Sequence, residues 1–286
     1  MESRQTIKNR IKSIEGTRQI TRSMRLVSMA KMQRARERMK ENQPFLDESR
    51  RLATIAKNCL NGERHPYITG RAVSNTLMVV ISGDRGLCGG YNAGVIRMAL
   101  KHLESLDHPA KVITIGSKVS DAFRRRQAVR PVHSFRGLTD SPIYAEVSGI
   151  ADTVRALFDE GEVDEVLLCF THFTSMLLQN PEIIRLLPIE EDEFPGGAEF
   201  FEPGGVQMLG GIVSFYLASR LYGAILESSV SEQSARILSM DGAVRTAGEM
   251  IMNLTLRYNQ ARQSVITQEL TEIVSGADAI NMEGSG

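Results

Sequence analysis

Apolar residues recur every seven positions near the end of this chain, at Ile237, Val244, Ile251, Tyr258 and Val265. Met240, Ala247, Leu254 and Ala261 follow three residues after the first four of them. An a/d pattern kept for about four heptads predicts a coiled-coil helix, with a long helix in an ordinary bundle as the alternative. The helix is expected from Val206 to about Ser275. At ~1.5 Å per residue it would span roughly 100 Å. At the other end of the chain, Ile7, Ile11, Ile14, Thr17, Ile20, Met24, Val27, Lys31, Ala35 and Met39 are three or four apart. That spacing predicts a second long helix with one continuous face. Pro44 should kink or interrupt it, because proline removes a backbone donor and crowds the preceding turn. A further helical stretch, Leu46 to Leu60, carries Leu52, Ile55, Ala56, Cys59 and Leu60 on one side and should stop at Asn61-Gly62.

Between the helices the period changes. Thr76 to Ser82 is a short continuous apolar run, the signature of a strand buried on both faces. Gly83-Asp84-Arg85-Gly86-Leu87-Cys88-Gly89-Gly90 follows as a turn, then a helix from Asn92 to Leu106. Lys111 to Gly116, Val129 to Phe135 and Val163 to Phe173 read as further strands, the last with a hairpin partner around Ser175 to Gln179. Ser117 to Arg126 reads as a helix. Ser141-Pro142 reads as the start of another, a capping residue followed by proline, that runs to about Glu160. Pro188 to Gly205 is an acidic, then Pro/Gly-rich, loop. The fold class is therefore α/β: a central Rossmann-like α/β domain plus a long antiparallel coiled coil of the N- and C-terminal helices. The expected division is 1–62 for the first helix, 68–204 for the central domain and 206–280 for the last helix. Both helices leave the same domain, one entering and one exiting, so they should pair antiparallel. The longer one should then extend as a single helix whose apolar tip, Ile273 to Ile280, needs another protein around it.

The formal net charge is zero, but residues 1–40 hold twelve basic residues against three acidic ones. A basic helix of this kind suits an acidic surface on a partner. It could also grip DNA, although the apolar stripe already commits the same helix to packing. Cys59, Cys88 and Cys169 lie far apart and form neither a CxxC pair nor a zinc pattern. No single apolar run approaches the roughly 18 residues of a membrane span, and no apolar core follows the basic N-terminus as in a secretory signal. The glycine turn lacks the Gly-Lys-Ser/Thr of a Walker loop, and its G-x-x-G-x-x-G-G order is not the dinucleotide fingerprint. His65, His102, His108, His133 and His172 are scattered. No catalytic constellation, cofactor or metal is expected. A nucleotide-binding α/β enzyme with a coiled-coil arm and a basic DNA binder are the rival classes.

Three segments resemble the gamma subunit of F-type ATP synthase. They are Ile20 to Val27 with Ala30-Lys31-Met32; Asp84-Arg85-Gly86-Leu87-Cys88-Gly89 followed by Asn92; and Ser231 to Arg236 together with Tyr258 to Ile273. The resemblance covers the chain in order and length, the central domain matching least. It implies a non-catalytic rotor shaft that couples proton or sodium flow to ATP synthesis or hydrolysis on the beta subunits. The implied partners are the alpha and beta subunits, the epsilon subunit and the membrane c-ring, with no nucleic acid. It implies a peripheral position on the cytoplasmic side of the cell membrane, with membrane association only through the complex. It also implies rotor–stator contacts at Met24, Arg236, Gln263, Thr267 and Glu272. The chloroplast cysteine pair has no counterpart, which points to a bacterial-type chain. Where the family favours an uninterrupted helical run, Asp241-Gly242 and Gly248 are expected to soften the last helix locally.

Overall fold

The computed structural model describes residues 3–60, 64–126, 129–189 and 205–283, with side chains at 56, 59, 205–208 and 276–283 outside that description. The expected helix stop at Asn61-Gly62, the acidic run Glu190 to Glu193 and most of its loop, and the side chains of the apolar tip beyond Ser275 lie outside the described residues. The elements in order are α1 (Arg4–Cys59), α2 (Pro66–Thr69), β1 (Thr76–Ile81), α3 (Tyr91–Glu104), β2 (Ala110–Ile115), α4 (Ser117–Arg126), β3 (Pro131–Phe135), α5 (Tyr144–Asp159), β4 (Glu165–Phe173), β5 (Gln179–Leu187) and α6 (Gly205–Glu283).

The strands form one sheet in the order β3-β2-β1-β4-β5. The first four are parallel and β5 runs antiparallel to β4. Alternation along β1 explains the layers. Leu77, Val79 and Ile81 pack with Val147, Ile150 and Val154 of α5 and with Leu217, Leu221 and Ile225 of α6. Met78 and Val80 face the other way, onto Val95 and Ala99 of α3 and Val119 and Phe123 of α4. Successive side chains point to opposite faces, and helices cover both, so the strand is apolar throughout. Each such side chain contributes about 1.5–3 kcal/mol by leaving water.

Three local expectations are corrected. The partner of β4 begins at Gln179 rather than ending there; Ser175 and Leu178 close the turn by exchanging backbone hydrogen bonds of 3.0 and 3.2 Å. Gln179-Asn180-Pro181-Glu182 has no apolar run to announce a strand, and Pro181 is tolerated because β5 is an edge. The helix expected at Ser141-Pro142 starts at Tyr144, with extended Ile143 before it and no side-chain cap. Ser141 instead accepts a hydrogen bond from Arg38 at 3.2 Å. Pro44 does not interrupt α1, which runs through it. Pro44 lies on the exposed face, where water can satisfy the carbonyl it leaves unpaired.

Contacts divide the chain into two compact units, Met1–Leu26 with Met240–Gly286, and Val27–Ser239, so the division falls inside both long helices. In the first unit α1 and α6 pair antiparallel. Arg25 bonds Asp241 at 2.6 Å, Arg18 lies beside Gly248, and Arg10, Ser13 and Ile14 share a cleft with Met250, Asn253, Leu254 and Arg257. The heptad of α6 lies in this seam: Met240 and Ala247 are buried, and Val244, Ile251, Leu254, Tyr258 and Ala261 are half-buried. Asp241-Gly242 and Gly248 do not break the helix. Asp241 holds Arg25, and a Cβ at Gly248 would stand at ordinary contact distance, 4.0 Å, from the Arg18 guanidinium.

The face expected on α1 is partly wrong. Its covered positions include Ile7, Ile11, Ile14, Arg18, Thr21, Arg25 and then, in the second unit, Ser28, Met32, Ala35, Met39 and Asn42, with the expected Met24 and Lys31 half-buried beside them. This is an alternation of four and three, the 3.5-residue period of a coiled-coil seam, while the apolar-only reading drifted off it. Ile20, Leu26 and Val27 are consequently 63, 61 and 57% exposed. Within the second unit the helices are antiparallel as well: Ser234 donates to the Met32 sulfur at 3.2 Å, and Gly223 faces Asn42.

One stretch within Leu209–Ser275 of α6 is long and apolar enough by composition to cross a membrane, and 56% of it is buried inside the protein. Small residues interleave with Leu, Ile and Tyr there, so no continuous run betrays it. It is a core helix of the sheet layer.

From Arg262 to Ser275 every side chain of α6 is exposed, including Val265, Ile266, Leu270, Ile273 and Val274. Removing residues 263–286 is therefore expected to change unfolding stability by no more than about 0.5 kcal/mol. Circular dichroism during a urea titration should show a smaller helical signal and an unmoved midpoint.

Candidate functional site

In an open α/β sheet, ligands bind beyond the carboxyl ends of the strands where strand order reverses. Here β2 and β4 flank β1, so that point lies at the end of β1, where the turn Gly83 to Gly90 begins. The turn is tied down by its own residues. Leu87 and Gly89 take left-handed conformations, φ 62° and 55°. Asn92 accepts from the Gly83 N–H at 2.9 Å and donates to the Arg85 carbonyl at 3.0 Å, which explains the Asp-to-Asn spacing of the motif. The Asp84 carboxylate accepts from Ser117 N and Oγ at 2.8 and 2.7 Å, and from Gly137 N and Thr139 Oγ1, each at 3.0 Å. Burial alone would raise its carboxyl, but these bonds outweigh it and hold the group below the usual aspartate range. The N-terminus of α4, the feature that would attract a phosphate, is thus taken by the chain's own carboxylate.

The remaining crevice is filled by α6. Glu227 accepts from Phe173 N at 3.0 Å, Ser228 accepts from Thr171 N at 3.4 Å, and Ser231 donates to the Thr171 carbonyl at 3.3 Å. Next comes Glu232, whose carboxylate lies 2.7 Å from where a side chain at Gly83 would begin. Arg236 bonds Glu232 at 2.5 Å and donates to the Gly86 carbonyl at 3.3 Å. Burial pushes the Glu232 carboxyl upward more than Arg236 draws it down. Burial and then the Glu232 charge likewise push up the Cys88 thiol, making it a poor nucleophile. Two carboxylates and a helix occupy the place where a nucleotide phosphate would sit, which removes the nucleotide-enzyme reading.

The five residues expected to contact a stator do not gather in one place. Met24 is half-buried on α1, next to Arg25 and its partner Asp241. Gln263, Thr267 and Glu272 are exposed on α6, more than twenty residues beyond Asp241. At ~1.5 Å per residue that is over about 30 Å along the helix. Thr267 donates to the Gln263 carbonyl at 2.9 Å, and Gln268 to Glu272 at 2.9 Å, so both expected side chains are held by their own helix. Arg236 is 6% exposed, and its guanidinium is engaged inside the chain. Glu232 was missed as a functional residue. Its spacing of four before Arg236 on a helix was the available signal.

A helix pair joined to a doubly wound sheet, with the ligand crevice filled by the chain itself, defines a mechanical subunit rather than an enzyme. Residues 3–280 match a family model described as ATP synthase. The chain is 38% identical over 285 residues to the ATP synthase gamma chain of Alkaliphilus metalliredigens, covering 96% of this chain and 98% of that one. It is 37% identical over 287 residues to that of Pelotomaculum thermopropionicum, covering 98% and 100%. Among solved structures it resembles the central stalk and c-ring structure of Tetrahymena thermophila mitochondrial ATP synthase, with 25% identity, TM-score 0.62, and 78% of this chain and 99% of that one covered. A chain of the Euglena gracilis enzyme shares the fold at TM-score 0.68 and 17% identity, with 97% and 94% covered. The chain belongs to the ATP synthase gamma-chain family. It is a rotor shaft of the central stalk, and catalysis belongs to other subunits.

Proposed function

We propose that this shaft couples ion flow through a membrane c-ring to ATP synthesis or hydrolysis on beta subunits. It does so as a peripheral component on the cytoplasmic side of the cell membrane. The observation that carries this is the end of α6: fourteen consecutive exposed side chains, Arg262 to Ser275, with five large apolar ones among them. An apolar helix of this kind needs a surrounding protein, and a ring of alpha and beta subunits supplies a bearing. Gln263, Thr267 and Glu272 are the proposed contacts in that bearing, and Met24, beside exposed Ile20 and Leu26, is the proposed contact on α1. Arg236, expected among them, serves inside the chain. Segments 1–62 and 206–280 are assigned to the shaft, and segment 68–204 to the contacts with epsilon and the ring.

The test is co-expression with alpha and beta subunits of the same source, followed by ATPase assay of the purified complex with and without this chain. A stable complex whose sustained turnover depends on the chain is the expected result. An isolated chain that binds nucleotide or DNA and ignores alpha and beta would overturn the reading.

A further inference from the structure

We propose that the cleft between α1, α6 and strands β4 and β5 binds a small amphipathic carboxylate, its charged head at Asn42 and its alkyl or aryl body over Phe170 and Ile184. Every residue involved lies in the compact unit Val27–Ser239, so the site stands or falls apart from the rotor reading. The cavity measures about 620 Å³, within the range of roughly 300–1,000 Å³ that small-ligand sites occupy. Its floor is apolar. Phe170 and Ala224 are buried, and Met39, Leu46 and Ile184 are half-buried beside them. Its mouth is polar, marked by the exposed side chains of Gln33, Arg36, Lys40 and Gln43 on α1. An apolar floor with a few polar groups is the usual make-up of a small-molecule site.

Asn42 points to the ligand. It is only 8% exposed and lines the cavity, yet its side-chain amide makes no hydrogen bond among the described residues. Buried amides nearly always have partners, because leaving water unpaired costs free energy. Across from it stands Gly223 of α6, with no side chain to offer.

The charges around the cavity favour an anion. Arg36 and Lys40, one turn apart on α1, form no ion pair among the described residues, and Arg220 lines the α6 side. The two carboxylates at the cavity are already engaged. Glu37 accepts from Gln33 at 2.9 Å. Glu227 accepts from Phe173 N at 3.0 Å and lies 2.6 Å from His172 Nδ1. A ligand carboxylate answers both features. It accepts from the Asn42 amide and lies in the field of the three cations, where charge-assisted bonds are the stronger kind. The apolar body then covers Phe170, Leu46 and Ile184 and takes that surface out of water. A fully polar anion would leave the floor uncovered, and a neutral apolar ligand would leave the cations unused.

Sodium decanoate, kept below its micelle concentration, is the probe, and calorimetric titration of the full chain is the measurement. Saturable binding of a single decanoate per chain is expected. Decyltrimethylammonium, the same chain length with a positive head, should bind at least roughly tenfold more weakly. Arg36→Gln combined with Lys40→Gln should weaken decanoate about tenfold and narrow the gap between the two probes. Gly223→Met fills the cavity from the α6 side. A β carbon there would meet Asn42 Nδ2 at 3.4 Å and Leu46 at 4.0 Å, ordinary contacts, so the helix accepts a side chain and a longer one grows into the cleft. Decanoate should then bind at least roughly tenfold more weakly. Absence of saturable heat would overturn the proposal. Unchanged affinity in Gly223→Met would overturn it too, by placing decanoate elsewhere, for instance on the exposed apolar end of α6. Loss in Gly223→Met with no effect of the charge pair would mark a cavity indifferent to anions, which also sinks it. If Gly223→Met does not fold, the charge pair, made on exposed side chains, decides alone.

Discussion

Gly116→Ala is expected to destabilise the chain by roughly 4 kcal/mol or more, one of the largest effects of any single methyl addition here. Gly116 ends β2 with φ +105°, a conformation that side chains rarely adopt. A Cβ there would lie 2.0 Å from the Ser82 carbonyl oxygen, which is backbone and cannot rotate away. Ser82 cannot retreat either, because its N–H donates to the Ile115 carbonyl at 2.8 Å and its hydroxyl accepts from Val119 N at 2.9 Å. The Gly116 N–H in turn donates to the Phe135 carbonyl at 2.8 Å, so relief of the clash would pull β1, β2 and β3 apart. Urea unfolding followed by circular dichroism should show a much lower midpoint. Gly16→Ala serves as the control, since nothing lies within 4 Å of its added carbon on α1. It should gain up to about 1 kcal/mol from helix propensity alone. Equal midpoints for the two variants would show that the Gly116 geometry is not required.

Asp84→Ala is expected to cost about 2–4 kcal/mol, because three buried or half-buried donors, Ser117 N and Oγ and Thr139 Oγ1, and the exposed Gly137 N–H lose one ionised acceptor. Asp84→Asn should recover part of this, keeping one acceptor oxygen. The pH dependence has a definite sign. The folded carboxyl titrates below its ordinary 3.8, so its stabilisation is present above that value and is lost as pH falls through the lower folded one. Glu232 acts in the opposite sense. Its folded value lies above the ordinary 4.5, so its contribution is fully present below 4.5 and is lost as pH rises through the raised value. Midpoints measured from about pH 3 to pH 7 should therefore fall less steeply on the acid side in Asp84→Ala than in wild type. An acid limb identical to that of wild type would mean that other carboxylates govern it.

Several elements could be read without a structure because burial on both faces leaves a local mark. β1 is a continuous apolar run after Thr76, and β2 and β4 carry apolar cores; all three were found within two residues of their ends. The heptad of α6 was legible for the same reason, since every seam position from Ile237 to Ala261 is apolar or small. β5 was displaced because an edge strand that begins Gln179-Asn180-Pro181-Glu182 owes its pairing to β4 and not to its own composition. Part of the candidate site was legible too. The turn after β1 and the Ser231 to Arg236 run both stood out as motifs, but nothing local showed that one fills the crevice of the other.

The sequence by itself determined the two long helices, the parallel strands between them and the exposed apolar end of α6, because periodicity and runs of apolar residues act over short stretches of chain. Only the tertiary structure decided which face of α1 is covered. Arg18, Thr21, Arg25 and Ser28 enter the seam while Ile20, Leu26 and Val27 stay outside, because the partner helix imposes a 3.5-residue period that hydrophobicity alone does not reveal. It also decided that Arg236 turns inward to the Gly86 carbonyl, since that partner lies on a segment distant in sequence and is met only once the two have packed.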